Sequence, residues 1–197
     1  IPGTEVRIAE DGEIKVKGPH VFMGYYKNQE ATDETLVDGF LLTGDLGEFD
    51  DDGYLKITGR KKDIIITAGG KNIAPKNIES AIKDIDIVSQ AVVIGDRRKF
   101  LSALITIAKD DDAVVAFAKE HGLDVDSLHA APVLREHLQK AIDEQVNPQF
   151  ARVEHVRKFE ILPRDFTIAD QELTPTLKIK RKFVNENWAD TIESMYA

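Results

Sequence analysis

Residues 59–75 read Gly59-Arg60-Lys61-Lys62-Asp63-Ile64-Ile65-Ile66-Thr67-Ala68-Gly69-Gly70-Lys71-Asn72-Ile73-Ala74-Pro75, and the character of the chain changes across them. Upstream, short runs alternate between polar and apolar residues and break at Asp-Gly turns. Downstream, strand-sized apolar runs alternate with stretches of helical period. The pattern divides the chain into a β-rich piece over residues 1–59 and an α+β unit over 64–197, with the charged residues 60–63 at the entrance to the second.

In the upstream piece, Glu5-Val6-Arg7-Ile8-Ala9 and Glu13-Ile14-Lys15-Val16-Lys17 alternate about Asp11-Gly12, a hairpin signal. A second pair, residues 39–49 and 54–58, turns at Asp51-Asp52-Gly53, with a short helix expected over residues 28–37. This is small and strand-rich for a domain of its own, so it reads as the edge of a larger one. The opening Ile1-Pro2-Gly3 has no initiator Met, basic n-region or apolar h-region, which predicts no signal peptide and a piece of a longer chain.

Downstream, a strand over residues 64–67 meets Gly69-Gly70. Pro75 then opens a helix that carries Ile78, Ala81, Ile82 and Ile85 on one stripe. Strands over 89–94 and 101–107 are expected to pair across residues 95–100. A helix over 110–121 has acids in its first turn and Gly122 as its stop. Pro132 starts another, with Leu134, Leu138, Ala141 and Ile142 inward and Asn147-Pro148 ending it. A last strand spans 156–162 and a loop 167–176. One helix over 180–196 is predicted, stacking Val184, Trp188, Ile192 and Met195. The fold class is therefore α+β, small sheets with flanking helices.

The chain has 197 residues, 42% of them hydrophobic and 31% charged, a composition that can bury a core and argues against disorder. Its net charge of −9 argues against a nucleic-acid coat or a polybasic membrane binder. With no cysteine there is no disulfide framework, thiolate metal site or cysteine nucleophile, which suits a cytoplasmic protein. No apolar run approaches the roughly 18 residues of a membrane span.

Most chemical signals reduce to turns. Residues 48–53 place acids at alternate positions before Gly53 as a calcium loop does, but the closing glutamate position is Gly59. The five histidines show no metal-ligand spacing, and no metal site is predicted. Gly69-Gly70-Lys71 is not a Walker loop; it reads either as a plain turn or as a ligand contact offering two unblocked amides. Residues 173–182 carry Lys178, Lys180, Arg181 and Lys182 with no acid, either a solvated basic face or an anion site. Thr43-Gly44-Asp45 is either a strand end or a carboxylate for a ribose diol, and Arg60-Lys61-Lys62-Asp63 is otherwise an exposed linker.

In this order the segments resemble the C-terminal part of the adenylate-forming enzymes, which include acyl-CoA synthetases, peptide-synthetase adenylation domains and firefly-type luciferases. The resemblance rests on Gly24-Tyr25-Tyr26, Thr43-Gly44-Asp45, Gly59 to Ile65, Gly69 to Pro75 with Ile78-Glu79, and Lys178. Leu173 to Arg181 and Ile192 to Tyr196 are most similar to long-chain fatty-acid CoA ligases; peptide-synthetase domains usually have Gly where this chain has Leu177.

The resemblance implies a mobile C-terminal domain preceded by the end of a large N-terminal adenylation domain. It also implies an ATP-dependent ligase that uses fatty acid, ATP with Mg2+, and CoA, and a piece that is inactive alone. Lys178 would be the catalytic lysine of adenylation, Asp45 and Arg60 nucleotide-binding residues, and Lys62 the hinge. Gly69, Gly70 and Lys71 would form the loop serving thioester formation with CoA. The partner expected is the chain's own N-terminal domain, not nucleic acid, with peripheral membrane contact left open. The alternatives are a fatty acyl-AMP ligase that delivers to a carrier protein and a non-catalytic, basic-tailed interaction module.

Overall fold

The computed structural model describes residues 1–197, which form two compact units, Ile1–Ile64 and Ile65–Ala197. No helix is long and apolar enough to cross a membrane.

The first unit is one five-stranded sheet. β1 (Glu5–Ile8) and β2 (Glu13–Lys17) pair antiparallel from Glu5↔Lys17 to Ile8↔Ile14. A short helix, α1 (Gln29–Thr35), is capped by the Asn28 side chain, which accepts from the Ala31 amide at 3.0 Å. It leads through β3 (Leu36–Val37) into β4 (Phe40–Phe49), the longest strand. Leu41 pairs with both Val16 and Leu36, so β2 lies on one edge of β4 and β3 on the other. β5 (Leu55–Arg60) continues that second edge, and its register sets Arg60 opposite Asp45.

The alternation in β2 predicts Glu13 on the wet face. It is buried instead, at 5% exposure beside Ile14 at 3%, because it has polar partners inside the unit, described below.

The second unit has a small two-stranded sheet, β6 (Ile65–Ile66) with β7 (Asn72–Ile73), and a three-stranded one. In the latter, β9 (Leu101–Thr106) lies between β8 (Gln90–Ile94), antiparallel, and β10 (Val156–Ile161), parallel. A parallel neighbour requires a long crossover. The chain supplies it with α3 (Asp112–Glu120) and α4 (Pro132–Ala141).

Both faces of this sheet are covered, so the central strand β9 is buried throughout and β8 nearly so, while the edge strand β10 exposes Arg157 and Lys158. Ala91, Val93, Leu101, Ala103 and Ile105 face a core shared with α2 (Pro75–Lys83), α3 and α4. Val92, Ile94 and Leu104 face a second core, with Phe166, Val184, Ile192 and Met195. The period of two thus sorts the strand residues between two layers.

Two expected helices are altered. α4 does not run to Asn147: residues 142–146 widen into a π turn, followed by a 3-10 turn over 147–149. There the buried Asn147 side chain brackets Val156 at the start of β10, accepting from its amide at 2.9 Å and donating to its carbonyl at 3.2 Å. The final helix is two, α5 (Arg181–Asn187) and α6 (Ala189–Tyr196), broken at Trp188 with φ −111° and ψ 23°. The apolar stripe persists across the break, which is why periodicity alone did not expose it.

Leu104 is fully buried on the central strand. Leu104→Ala is expected to lower the unfolding free energy by about 2–5 kcal/mol, measured by urea titration; a loss below about 0.5 kcal/mol would mean that β9 is not the centre of a packed core.

Candidate functional site

In residues 1–64, Thr43-Gly44-Asp45 forms a kink in β4. Gly44 has φ +69°, a left-handed conformation that favours glycine. Its amide donates to Glu13 Oε1 at 2.9 Å, and the Asp45 amide donates to Thr43 Oγ1 at 3.1 Å. Thr43 Oγ1 in turn donates to the Ile14 carbonyl at 2.8 Å. The kink is therefore held from below by β2.

Asp45 and Arg60 are brought together. Arg60 Nε donates to Asp45 Oδ1 at 2.8 Å, with both side chains partly open to solvent. A monodentate pair leaves Asp45 Oδ2 and the two terminal guanidinium nitrogens available, an acceptor and a fork of donors side by side. Beside them is a cleft of about 370 Å³ lined by Thr43, Gly44, Arg60, Lys61 and Lys62.

Lys61 and Lys62 differ sharply. Lys61 Nζ bridges Asp11 Oδ2 at 2.7 Å and Glu13 Oε2 at 2.9 Å. The Asp11 contact, then the Glu13 contact, push its ammonium pKa up, and the Lys61 contact holds Asp11 below the ordinary carboxylate value. Lys62, exposed and outside every ion pair, follows in a 3-10 turn over Lys61–Asp63. Glu13 was legible only as a strand residue; nothing in its neighbourhood of sequence marks its partners, which lie 31 and 48 positions away.

In residues 65–197, Gly69-Gly70-Lys71 is an exposed turn between β6 and β7. Thr67 organises it: its carbonyl accepts from the Gly70 amide at 2.8 Å, and its Oγ1 from the Lys71 amide at 3.2 Å. The expectation of two unblocked amides is thereby corrected, since the Gly70 N–H is engaged within the turn. Gly70 has φ +76° with open space where a Cβ would be, so what it supplies is backbone conformation and a bare surface.

Lys178 sits near the end of a tight hairpin. Leu173 bridges Ile179, the Thr174 amide donates to the Lys178 carbonyl at 2.8 Å, and the Leu177 amide donates to the Thr174 carbonyl at 2.9 Å. Thr174 Oγ1 accepts from the Lys178 amide at 3.0 Å. The loop closes on Leu177 at φ +59°, the left-handed position of a three-residue hairpin loop. Leu177 is thus in a conformation that glycine favours.

The basic cluster divides. Lys180 lies over the Phe183 ring at 3.8 Å, Arg181 pairs with Glu79 at 2.6 Å and donates to the Val93 carbonyl at 2.8 Å, and Lys182 reaches Glu186 at 3.9 Å. Lys178 is exposed and has no such partner. No hydrogen bond or ion pair joins it to Gly69, Gly70 or Lys71.

The largest feature that sequence reasoning missed is Glu172, six positions before Lys178 and fully buried. Arg164 grips it with both terminal nitrogens, at 2.6 and 3.0 Å, and the Thr167 amide donates at 3.0 Å. Asn187 Nδ2 and Trp188 Nε1 donate at 3.3 and 2.8 Å. Burial pushes the carboxyl pKa up, but the bonds from Arg164, Thr167, Asn187 and Trp188 outweigh it and hold it below the ordinary value.

Residues 62–197 match the model of the AMP-binding enzyme C-terminal domain family. The chain is 48% identical over 200 residues to the long-chain-fatty-acid–CoA ligase FadD15 of Mycobacterium tuberculosis, covering all of this chain and 33% of that protein. It is 40% identical over 220 residues to the long-chain-fatty-acid–CoA ligase ACSBG1 of Rattus norvegicus, covering 100% and 30%. The chain therefore spans about a third of the length of these curated relatives. Among solved structures, the A domain of a carboxylic acid reductase from Segniliparus rugosus aligns with TM-score 0.78 at 22% identity, over 98% of this chain and 31% of that one. At that identity the likeness shows the fold, the α+β architecture of adenylation-domain enzymes.

A carboxyl whose folded pKa is depressed stabilises above its unfolded pKa, about 4.3 for Glu, and loses that contribution as pH falls through the folded value. The stability gap between the unmodified chain and Glu172→Gln is expected to be wide at pH 7 and to narrow below about pH 4.3. Urea unfolding at neutral and acid pH measures it; an equal gap at both would contradict the buried charge.

Proposed function

From the membership of this chain in the AMP-binding enzyme C-terminal domain family, we propose that it is part of an ATP-dependent long-chain-fatty-acid–CoA ligase. The observation that carries the reading is Lys178: alone among the cations of residues 173–182 it is free and exposed, on a hairpin whose backbone is fixed on both sides. The whole reaction belongs to the longer enzyme, of which residues 1–59 are the end of the N-terminal adenylation domain, 60–63 the hinge and 64–197 the C-terminal domain.

In the first half-reaction a fatty carboxylate oxygen attacks the α-phosphorus of ATP, the bond to the β-phosphate oxygen breaks, and pyrophosphate leaves. Two anions must approach each other. The Lys178 ammonium would bridge carboxylate and α-phosphate, holding both and offsetting charge in the transition state. Asp45 Oδ2 would accept from the ribose hydroxyls, with Arg60 adding donors beside it; Mg2+ enters with ATP. In the second half-reaction the CoA sulfur attacks the acyl carbonyl carbon, AMP leaves with the bonding pair, and the thiol proton is released.

Lys62 would be the pivot between the two states. Lys61 is tied to Asp11 and Glu13, so backbone rotation beyond it starts from a fixed residue. Gly69, Gly70 and Lys71 would then serve the thioester step, where the two glycines, without side-chain bulk, would admit the pantetheine arm. The reading places the enzyme in the cytoplasm, with peripheral membrane contact while loading its lipid substrate.

The full-length enzyme, given ATP, Mg2+ and fatty acids of graded length with and without CoA, should form acyl-CoA with a preference for long chains. Acyl-AMP that accumulates despite CoA would favour delivery to a carrier protein instead. Lys178→Ala should slow acyl-AMP formation by about 10²–10³-fold while leaving thioester formation from supplied acyl-AMP nearly intact; equal loss of both would overturn the assignment of Lys178.

A further inference from the structure

We infer that Glu172, held by Arg164 and Trp188, is the positioning residue that sets the Lys178 hairpin for adenylate formation. The inference rests on the reading of Lys178 given above and adds to it the group that fixes where Lys178 stands.

Three observations support it. Glu172 is a buried carboxylate at the foot of the hairpin, and its two oxygens accept five hydrogen bonds from Arg164, Thr167, Asn187 and Trp188. Its backbone is part of the hairpin itself: the Glu172 carbonyl accepts from the Lys180 amide at 2.7 Å, next to the Leu173↔Ile179 bridge. Fixing the side chain therefore fixes the strand on which Lys178 lies, two residues before Lys180. Finally, the last helix is interrupted at Trp188, the residue that delivers its indole N–H to Glu172. Helix continuity yields there to satisfy the carboxylate.

The far end of the hairpin has its own anchor, Arg181, bound to Glu79 and to the Val93 carbonyl on β8. Between these anchors Leu173 and Ile179 pack against the second core, residues 175–178 form the exposed tip, and Thr174 ties that tip internally to Lys178. The ammonium of a long, flexible side chain is useful against two anions only if its Cα is held, because misplacement by about 1 Å costs about 10²-fold in rate. Glu172 touches no reacting atom; it acts through the backbone of Lys178.

A purely structural Glu172 would affect both half-reactions alike, so the test separates them. In the full-length enzyme, acyl-AMP formation and thioester formation from supplied acyl-AMP are measured for Glu172→Gln, Trp188→Phe and Lys178→Ala, below the melting temperature of each. Trp188→Phe removes the indole N–H donor and keeps an aromatic, smaller side chain, so it remains informative if Glu172→Gln fails to fold. Expected for Glu172→Gln is a fall of about 10- to 100-fold in kcat for adenylation, with KM for ATP and the thioester step little changed. A smaller fall of the same selectivity is expected for Trp188→Phe. If Lys178→Ala is selective but Glu172→Gln and Trp188→Phe lose both steps in proportion, or neither, the positioning role is overturned while the Lys178 reading stands. If Lys178→Ala is itself unselective, that reading fails and the inference with it.

Discussion

A carboxylate removed from water must find its hydrogen bonds inside the protein, and residues 164–188 are arranged around one that has done so. Glu172 draws Arg164 from the chain before it, the Thr167 amide from the loop it closes, and Asn187 and Trp188 from the far end of α5. Residues up to 8 positions before Glu172 and up to 16 positions after it are thereby held at one point. An unpaired charge there would cost several kcal/mol. The loop, the helix break and the hairpin are consequently coupled to each other. Leu173 and Trp188, beside and bonded to Glu172, pack in turn against the apolar layer of Val92, Leu104, Phe166 and Val184.

The same logic recurs in residues 1–64 on a smaller scale. Glu13, buried within β2, accepts from the Gly44 amide with one oxygen and from Lys61 with the other. One carboxylate thus shapes the kink that presents Asp45 and also ties down the residue before Lys62. In each unit a buried acid with no proposed part in the chemistry orders the backbone beneath a residue that has one.

Much of the architecture could be read from periodicity. Pro75 at the first turn with Ile78 and Ile82 inward marks α2, and the apolar runs of β8 and β9 flanking residues 95–100 mark an antiparallel pair. Asp45, Arg60 and Lys178 stand out in the sequence only through the family resemblance, and the structure adds that Asp45 faces Arg60 and that Lys178 is unpaired. What escaped was tertiary. Asp170-Gln171-Glu172 reads as a solvated polar loop, and only the chain brought back by α5 makes Glu172 a buried ion. Val184, Trp188, Ile192 and Met195 keep a helical stripe through the break because the break turns on a hydrogen bond, which hydropathy does not record. Glu13 fits strand alternation as a surface residue until Lys61 is set against it.

The central claim, that the buried Glu172 charge fixes the backbone that carries Lys178, is tested most directly by amide hydrogen exchange on this chain with Glu172 and with Glu172→Gln. The account predicts that the Lys178 and Lys180 amides, bonded to Thr174 Oγ1 and the Glu172 carbonyl, lose protection selectively, while those of β8 and β9 keep theirs. Unchanged protection at Lys178 and Lys180, or an equal loss across the whole unit, would contradict it.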